Sequence, residues 1–199
     1  MMKQFPEHQR WPLGSFGNVQ VILLGDQAAM QPLRHLTQAA FARIEDRFPG
    51  LVSHFPGLTI YFADGVITSG GEALAAQNAI IIDTTKALMT LQHAENYLVE
   101  LGILNPGDWT ALADADTIQG ELAVVHELGH ILEATVHREE GVAFADLRRV
   151  DATTKYGQLK AKEDYAEAFV YEVYRGSLER SRSDLILTDI AQIRQSGKP

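Results

Sequence analysis

His126, Glu127 and His130 stand together in the stretch His126-Glu127-Leu128-Gly129-His130. An α-helix turns once every ~3.6 residues, so the two imidazoles fall on one face, ~6 Å apart along the axis. From that separation two rings can bind a single Zn²⁺ at ~2.0–2.1 Å each. Glu127 projects from the side of the same face, within reach of a water on the metal, where a carboxylate serves as general base. The pattern H-E-x-x-H is the one that carries metal-assisted peptide hydrolysis.

The surrounding sequence supports a helix. Residues 119–136 contain no proline, and Val124, Leu128 and Ile131 line one side while Leu122, Val125 and Leu132 widen the apolar surface. A helix apolar nearly all round is a buried one. Two histidines and a carboxylate on a buried helix need partners, because an unpaired buried charge is very costly. A metal ion is one such partner; backbone groups around a pair of core histidines are the alternative.

A catalytic zinc site takes three protein ligands and keeps one position open. A histidine six residues after the second would give the metzincin pattern, but Val136 stands there. His137, one residue later, falls ~10 Å along the helix axis and reads as a surface histidine at a helix end. Glu133 shares the helix face and reads as a solvated carboxylate or one that supports a ligand. Downstream, Lys162-Glu-Asp-Tyr-Ala-Glu-Ala-Phe169 opens an amphipathic helix with Glu163 and Glu167 as an i,i+4 pair. Like charges at that spacing repel unless something positive lies between them. The pair therefore reads either as a metal ligand (Glu163) with a carboxylate that orients a histidine (Glu167), or as an exposed acidic face. Tyr156, seven residues before Glu163 and beside Gly157, reads either as a hydroxyl donor over the metal or as a packing tyrosine.

The ordered pair of motifs, His-Glu-Leu-Gly-His and then Tyr156-Gly-Gln-Leu-Lys-Ala-Lys-Glu-Asp-Tyr-Ala-Glu-Ala-Phe169, resembles the catalytic domain of anthrax toxin lethal factor. It is also similar to the related secreted Pro-Pro endopeptidases of Gram-positive bacteria. The two segments cover roughly residues 120–175. The resemblance implies a zincin-like fold with one catalytic Zn²⁺ held by His126, His130 and Glu163. It implies Glu127 as general base, Tyr156 as the oxyanion donor, and a peptide or protein substrate, with Pro-Pro bonds as the expected target. The chain has no room for the toxins' delivery domains. A zinc-binding regulatory or interaction domain of the same fold, without peptidase activity, is the alternative function. Trp11, Trp109 and Tyr61 are candidates for a proline-lined subsite, with a core or turn role favoured for each.

Composition narrows the remaining classes. The 199-residue chain can bury a full core and reads as a single catalytic domain acting as a monomer. Its formal net charge of −9 argues against a broad nucleic-acid-binding surface and favours substrates with basic flanks. With no cysteine, any metal must be held by histidine and carboxylate. No run approaches the ~18–20 apolar residues of a membrane span. The N-terminus lacks the apolar segment of a signal peptide. The resemblance implies secretion, whereas the chain as it stands, if complete, implies the cell interior.

The elements that must position these residues follow an α+β order. Residues 1–17, with Pro6, Pro12, Gly14 and Gly17, read as an irregular lead-in. Strands are expected at 18–24, 58–62 and 79–83, with a helix over 28–48, a loop at Gly70-Gly71, a helix over 85–102 and a turn at 105–108. Leu88, Leu91, Tyr97 and Leu101 form the expected buried stripe of the 85–102 helix. The metal helix and two further helices, near 162–176 and 183–195, complete the chain. The sheet-containing lobe spans about 18–117 and the helical lobe about 118–199. An extended substrate is expected along an exposed strand edge, with 58–62 and 79–83 as the candidates.

Overall fold

The computed structural model describes residues 10–55, 57–67, 71–89, 118–148, 151–174 and 178–196. Five strands form one sheet: β1 (Arg10–Phe16), β2 (Val19–Leu24), β3 (Leu58–Ala63), β4 (Gly71–Leu74) and β5 (Ala79–Asp83). Their spatial order is β1-β2-β3-β5-β4. The central three run parallel, and β1 and β4 close the two edges antiparallel. Central parallel strands read as near-continuous apolar runs because both faces are covered. All five residues of β5 are accordingly buried.

Among the described residues, five helices pack around this sheet: α1 (Met30–Arg47), a single turn α2 (Thr84–Ala87), α3 (Ile118–His137), α4 (Ala161–Val173) and α5 (Arg180–Ser196). α1 buries Leu33, Leu36, Ala40, Phe41 and Ile44, the 3–4 spacing of a helix with one face on a core. One hydrophobic cluster contains residues of the sheet, of α1 and of α3, α4 and α5. No helix among the described residues is long and apolar enough to cross a membrane.

The α3–α4 crossing matters most for the site. A Cβ at Gly129 would lie 2.9 Å from the Ala166 Cα and 3.2 Å from the Phe169 Cβ. Glycine therefore lets the two backbones approach until side chains from both helices meet in one place. Gly129 sits between Glu127 and His130, and Ala166 sits between Glu163 and Glu167, so the point of closest approach is also the site.

The α+β class and the strands at 18–24, 58–62 and 79–83 stand, as do the helices at 28–48, 119–136 and 183–195, while the helix expected at 162–176 is observed over Ala161–Val173, with 175–176 outside the described residues. Three expectations about the sheet are corrected. The lead-in contains strand β1, which the prolines and glycines disguise. Pro12 lies at a register shift between Pro12 and Gly14 on an edge strand, a position where a missing N–H costs no ladder bond. Arg34 of α1 donates to the carbonyls of Leu13 (3.0 Å) and Pro12 (3.4 Å) at that irregularity. Gly71, expected in a loop with Gly70, instead opens β4 and pairs with β5, and Gly70 lies outside the described residues. The candidate substrate edges at 58–62 and 79–83 are corrected with it, since β3 and β5 each have neighbours on both sides.

Of the 85–102 helix, the first turn is α2, capped by Asp83, whose side chain accepts from Lys86 N at 2.9 Å. Leu88 is 37% exposed rather than part of a buried stripe. Leu91, Tyr97, Leu101, Trp109 and the expected turn at 105–108 lie outside the described residues. Trp11 packs against the core and donates to the Gly25 carbonyl at 3.1 Å, the core role favoured for it.

Candidate metal centre

Helices α3 and α4 bring His126, His130 and Glu163 together, and their potential ligand atoms all lie within 4.8 Å of one another. Nε2 of His126 and Nε2 of His130 are each 3.4 Å from the same oxygen, Glu163 Oε2. That spacing is longer than an ordinary N–H···O bond of about 2.7–3.2 Å. It equals the ~3.3–3.4 Å separation of two ligands each ~2.0–2.1 Å from a tetrahedral ion. Two imidazoles and one carboxylate converge with ring nitrogens foremost, in a largely buried setting. The donor set and the spacing fit a metal ion of the kind that histidine and carboxylate ligate.

The groups around the three are ordered by the same two helices. Glu167, buried and one turn beyond Glu163, places Oε1 2.9 Å from His126 Nδ1. It thus faces the rear of the His126 ring, while Nε2 faces Glu163. Burial pushes the His126 imidazole down, but Glu163 and Glu167 beside it outweigh that and hold it well above its ordinary value. Burial pushes the Glu163 carboxyl up, and the two imidazoles bring it down far below the usual carboxylate range. In the absence of a metal, the His126 imidazole is thus held toward its charged form and Glu163 toward its carboxylate.

Glu127 points to the sheet side. It is buried, and burial raises its carboxyl above the ordinary value, with His126 and His130 opposing. The backbone N–H of Ala73 in β4 donates to it. A Cβ on Gly71 would lie 2.9 Å from the Glu127 carboxyl carbon, so a larger residue at the start of β4 would displace this carboxyl group. The edge strand of the sheet therefore flanks the would-be base.

Tyr156 stands beside His126, its ring centroid 6.4 Å from that of the imidazole. Its hydroxyl hydrogen-bonds Glu163. Burial and the neighbouring Glu163, Glu127 and Glu167 push its pKa up to about 12, so it retains its proton. The loop that carries it is pinned from below. Asp164 Oδ1 accepts from Thr153 N at 2.7 Å, and Thr154 Oγ1 accepts from Gly157 N at 3.1 Å. Asp164 is held in turn by Arg182 of α5, whose Nε and Nη2 donate to Oδ2 at 2.9 and 2.8 Å. Arg182 Nη2 also donates to the Arg148 carbonyl at 3.1 Å.

All the expected site residues, His126, Glu127, His130, Tyr156, Glu163 and Glu167, are thus in one place. His137 is at a helix end as expected, but it is not simply a surface group: its Nε2 lies 2.8 Å from Asp189 Oδ2, an oxygen that also accepts from Tyr165. Glu133 is fully buried and not solvated; it accepts from Gly141 N (2.9 Å) and Ala143 N (3.1 Å) and folds the following loop back on α3. Sequence reasoning missed Gly71, Ala73, Asp164, Arg182 and Glu140, which reach the site only through tertiary contacts. A glycine pair beside a short apolar alternation was the sole signal for the first of them.

Comparison with known proteins gives no match: no protein-family model, no curated protein and no solved structure corresponds to the chain.

Proposed function

We propose that this chain is a zinc-dependent endopeptidase of zincin type. The observation that carries the reading is the pair of imidazole nitrogens, each 3.4 Å from one oxygen of Glu163, with Glu127 on the same helix and Tyr156 beside them. His126, His130 and Glu163 would hold the ion. Bound there, zinc supplies a Lewis acid that polarises a carbonyl and lowers the pKa of a water.

The remaining work falls to the chain's own groups. Glu127 takes the proton of the attacking water and returns it to the leaving amine nitrogen. Its raised affinity for a proton suits a group that must hold one between the two transfers. Tyr156, protonated across the physiological range, donates to the carbonyl oxygen as that atom gains charge. Glu167 keeps His126 in the tautomer that offers Nε2. The substrate pairs as an added strand on β4, the sheet edge that touches Glu127. A pure zinc-storage or structural site would require neither Glu127 nor Tyr156. The motif resemblance favours proline-rich targets, and the net charge of −9 favours basic flanks through long-range attraction.

Activity should titrate with the metal. Protein stripped with chelator should be inactive on a peptide mixture, and cleavage should rise linearly with added zinc to an endpoint at one ion per chain. Activity that survives stripping, or that fails to return on zinc addition to folded protein, would remove this reading.

A further inference from the structure

The two histidines of the site are not equally supported. His126 Nδ1 has a carboxylate oxygen, Glu167 Oε1, at ion-pair distance (2.9 Å), whereas His130 Nδ1 is buried and has no hydrogen-bond partner among the described residues. Nε2 of His130 is the nitrogen that faces Glu163. A neutral imidazole that ligates through Nε2 carries its proton on Nδ1, and that buried N–H requires an acceptor.

Glu133 is near in sequence, but both its oxygens are taken by Gly141 N and Ala143 N. What those bonds do is close the loop after α3 so that Glu140 returns over the helix. Glu140 Oε2 lies 3.8 Å from His130 Nδ1. The same oxygen accepts from Lys162 Nζ at 3.0 Å, and Lys162 precedes Glu163 in α4. The carboxylate is 22% exposed, and moving about 0.8 Å closer would bring it to an ordinary N–H···O distance.

We propose that Glu140 is the positioning residue for His130, its carboxylate accepting the Nδ1–H while Lys162 holds it over the ring. The inference rests on the zinc reading above and adds a second carboxylate–histidine pair to it. Lys162 then links the two halves of the site, since it fixes the acceptor for one ligand and adjoins the next. Because the Lys162–Glu140 pair is partly exposed, its contribution to folding is small and its effect falls on the metal.

The test is zinc affinity measured by competition with a chromophoric chelator. Glu140→Ala should bind zinc about 10–100-fold more weakly than the unaltered protein. Lys162→Met should lie between the two, Glu140→Gln, whose amide oxygen still accepts, should retain most of the affinity, and Glu139→Ala should match the unaltered protein. A long-range ¹H–¹⁵N spectrum of the zinc-loaded protein should show a slowly exchanging His130 Nδ1–H that Glu140→Ala exposes to exchange and Glu140→Gln preserves. Zinc affinity of Glu140→Ala within about twofold of the unaltered protein, or an unchanged His130 signal, overturns the role of Glu140 alone. If Glu140→Ala fails to fold, Lys162→Met decides in its place. Failure of the unaltered protein to bind zinc overturns the metal reading and this inference together.

Discussion

At the scale of single residues the site is a set of carboxylates sorted by what each one faces. Glu163 faces two imidazole nitrogens, Glu167 the rear of one ring, Glu127 the edge strand, and Glu133 two backbone N–H groups. Tyr156 is the group whose removal separates catalysis from binding. Tyr156→Phe should lower kcat about 10²–10³-fold, the cost of one oxyanion donor, with the zinc dissociation constant unchanged. Equal loss of metal and rate would mark the hydroxyl as a support for Glu163 instead. Glu167→Ala should weaken zinc binding about 10–100-fold, read by the same chelator competition. His126, Glu127 and His130 were legible in the sequence because one helical turn relates them; the i,i+4 spacing of Glu163 and Glu167 left a ligand pair and an acidic face open, and the motif resemblance pointed to the former. Glu140 and Ala73 were not legible: a loop closure brings the first to His130, and sheet pairing brings the second to Glu127.

At the scale of elements, two devices hold the site. The first is the close α3–α4 crossing at Gly129. Gly129→Val would drive a side chain into the Ala166 backbone and should cost at least the ~1–3 kcal/mol of an overpacked core, measured by chemical denaturation. The second is the buried Arg182–Asp164 pair that ties α5 to the Tyr156 loop. Arg182→Met leaves Asp164 buried and unpaired and should cost about 3–5 kcal/mol, whereas Arg182→Met with Asp164→Asn should recover part of it. Additive losses would show that the two residues act independently. The long helices were readable from 3–4 spacing and the parallel strands from their apolar runs. The two edge strands were not, because edges tolerate the signals that exclude a strand elsewhere. Pro12 sits at the β1 bulge, and Gly71 opens β4 where a larger residue would strike Glu127.

At the scale of the whole molecule, a mixed sheet brings its edge strand β4 against Glu127, and the segment before α4 brings Tyr156 beside His126. Metal and fold should be coupled, since the three ligands come from two helices that share one core. Free zinc at about a thousand times its dissociation constant should stabilise the protein by ~4 kcal/mol, or roughly 8–16 °C in Tm for a chain of this size. Calorimetry with zinc and with chelator measures it, and His126→Ala should abolish the difference. The central claim, peptide hydrolysis by Glu127 at this centre, is tested most directly by one digest. Zinc-loaded protein and its Glu127→Ala variant, both confirmed to carry the metal, are incubated with a peptide library and the products read by mass spectrometry. New termini should appear with the unaltered protein and not with the variant. An undigested library, or the same cuts from both proteins, would contradict it.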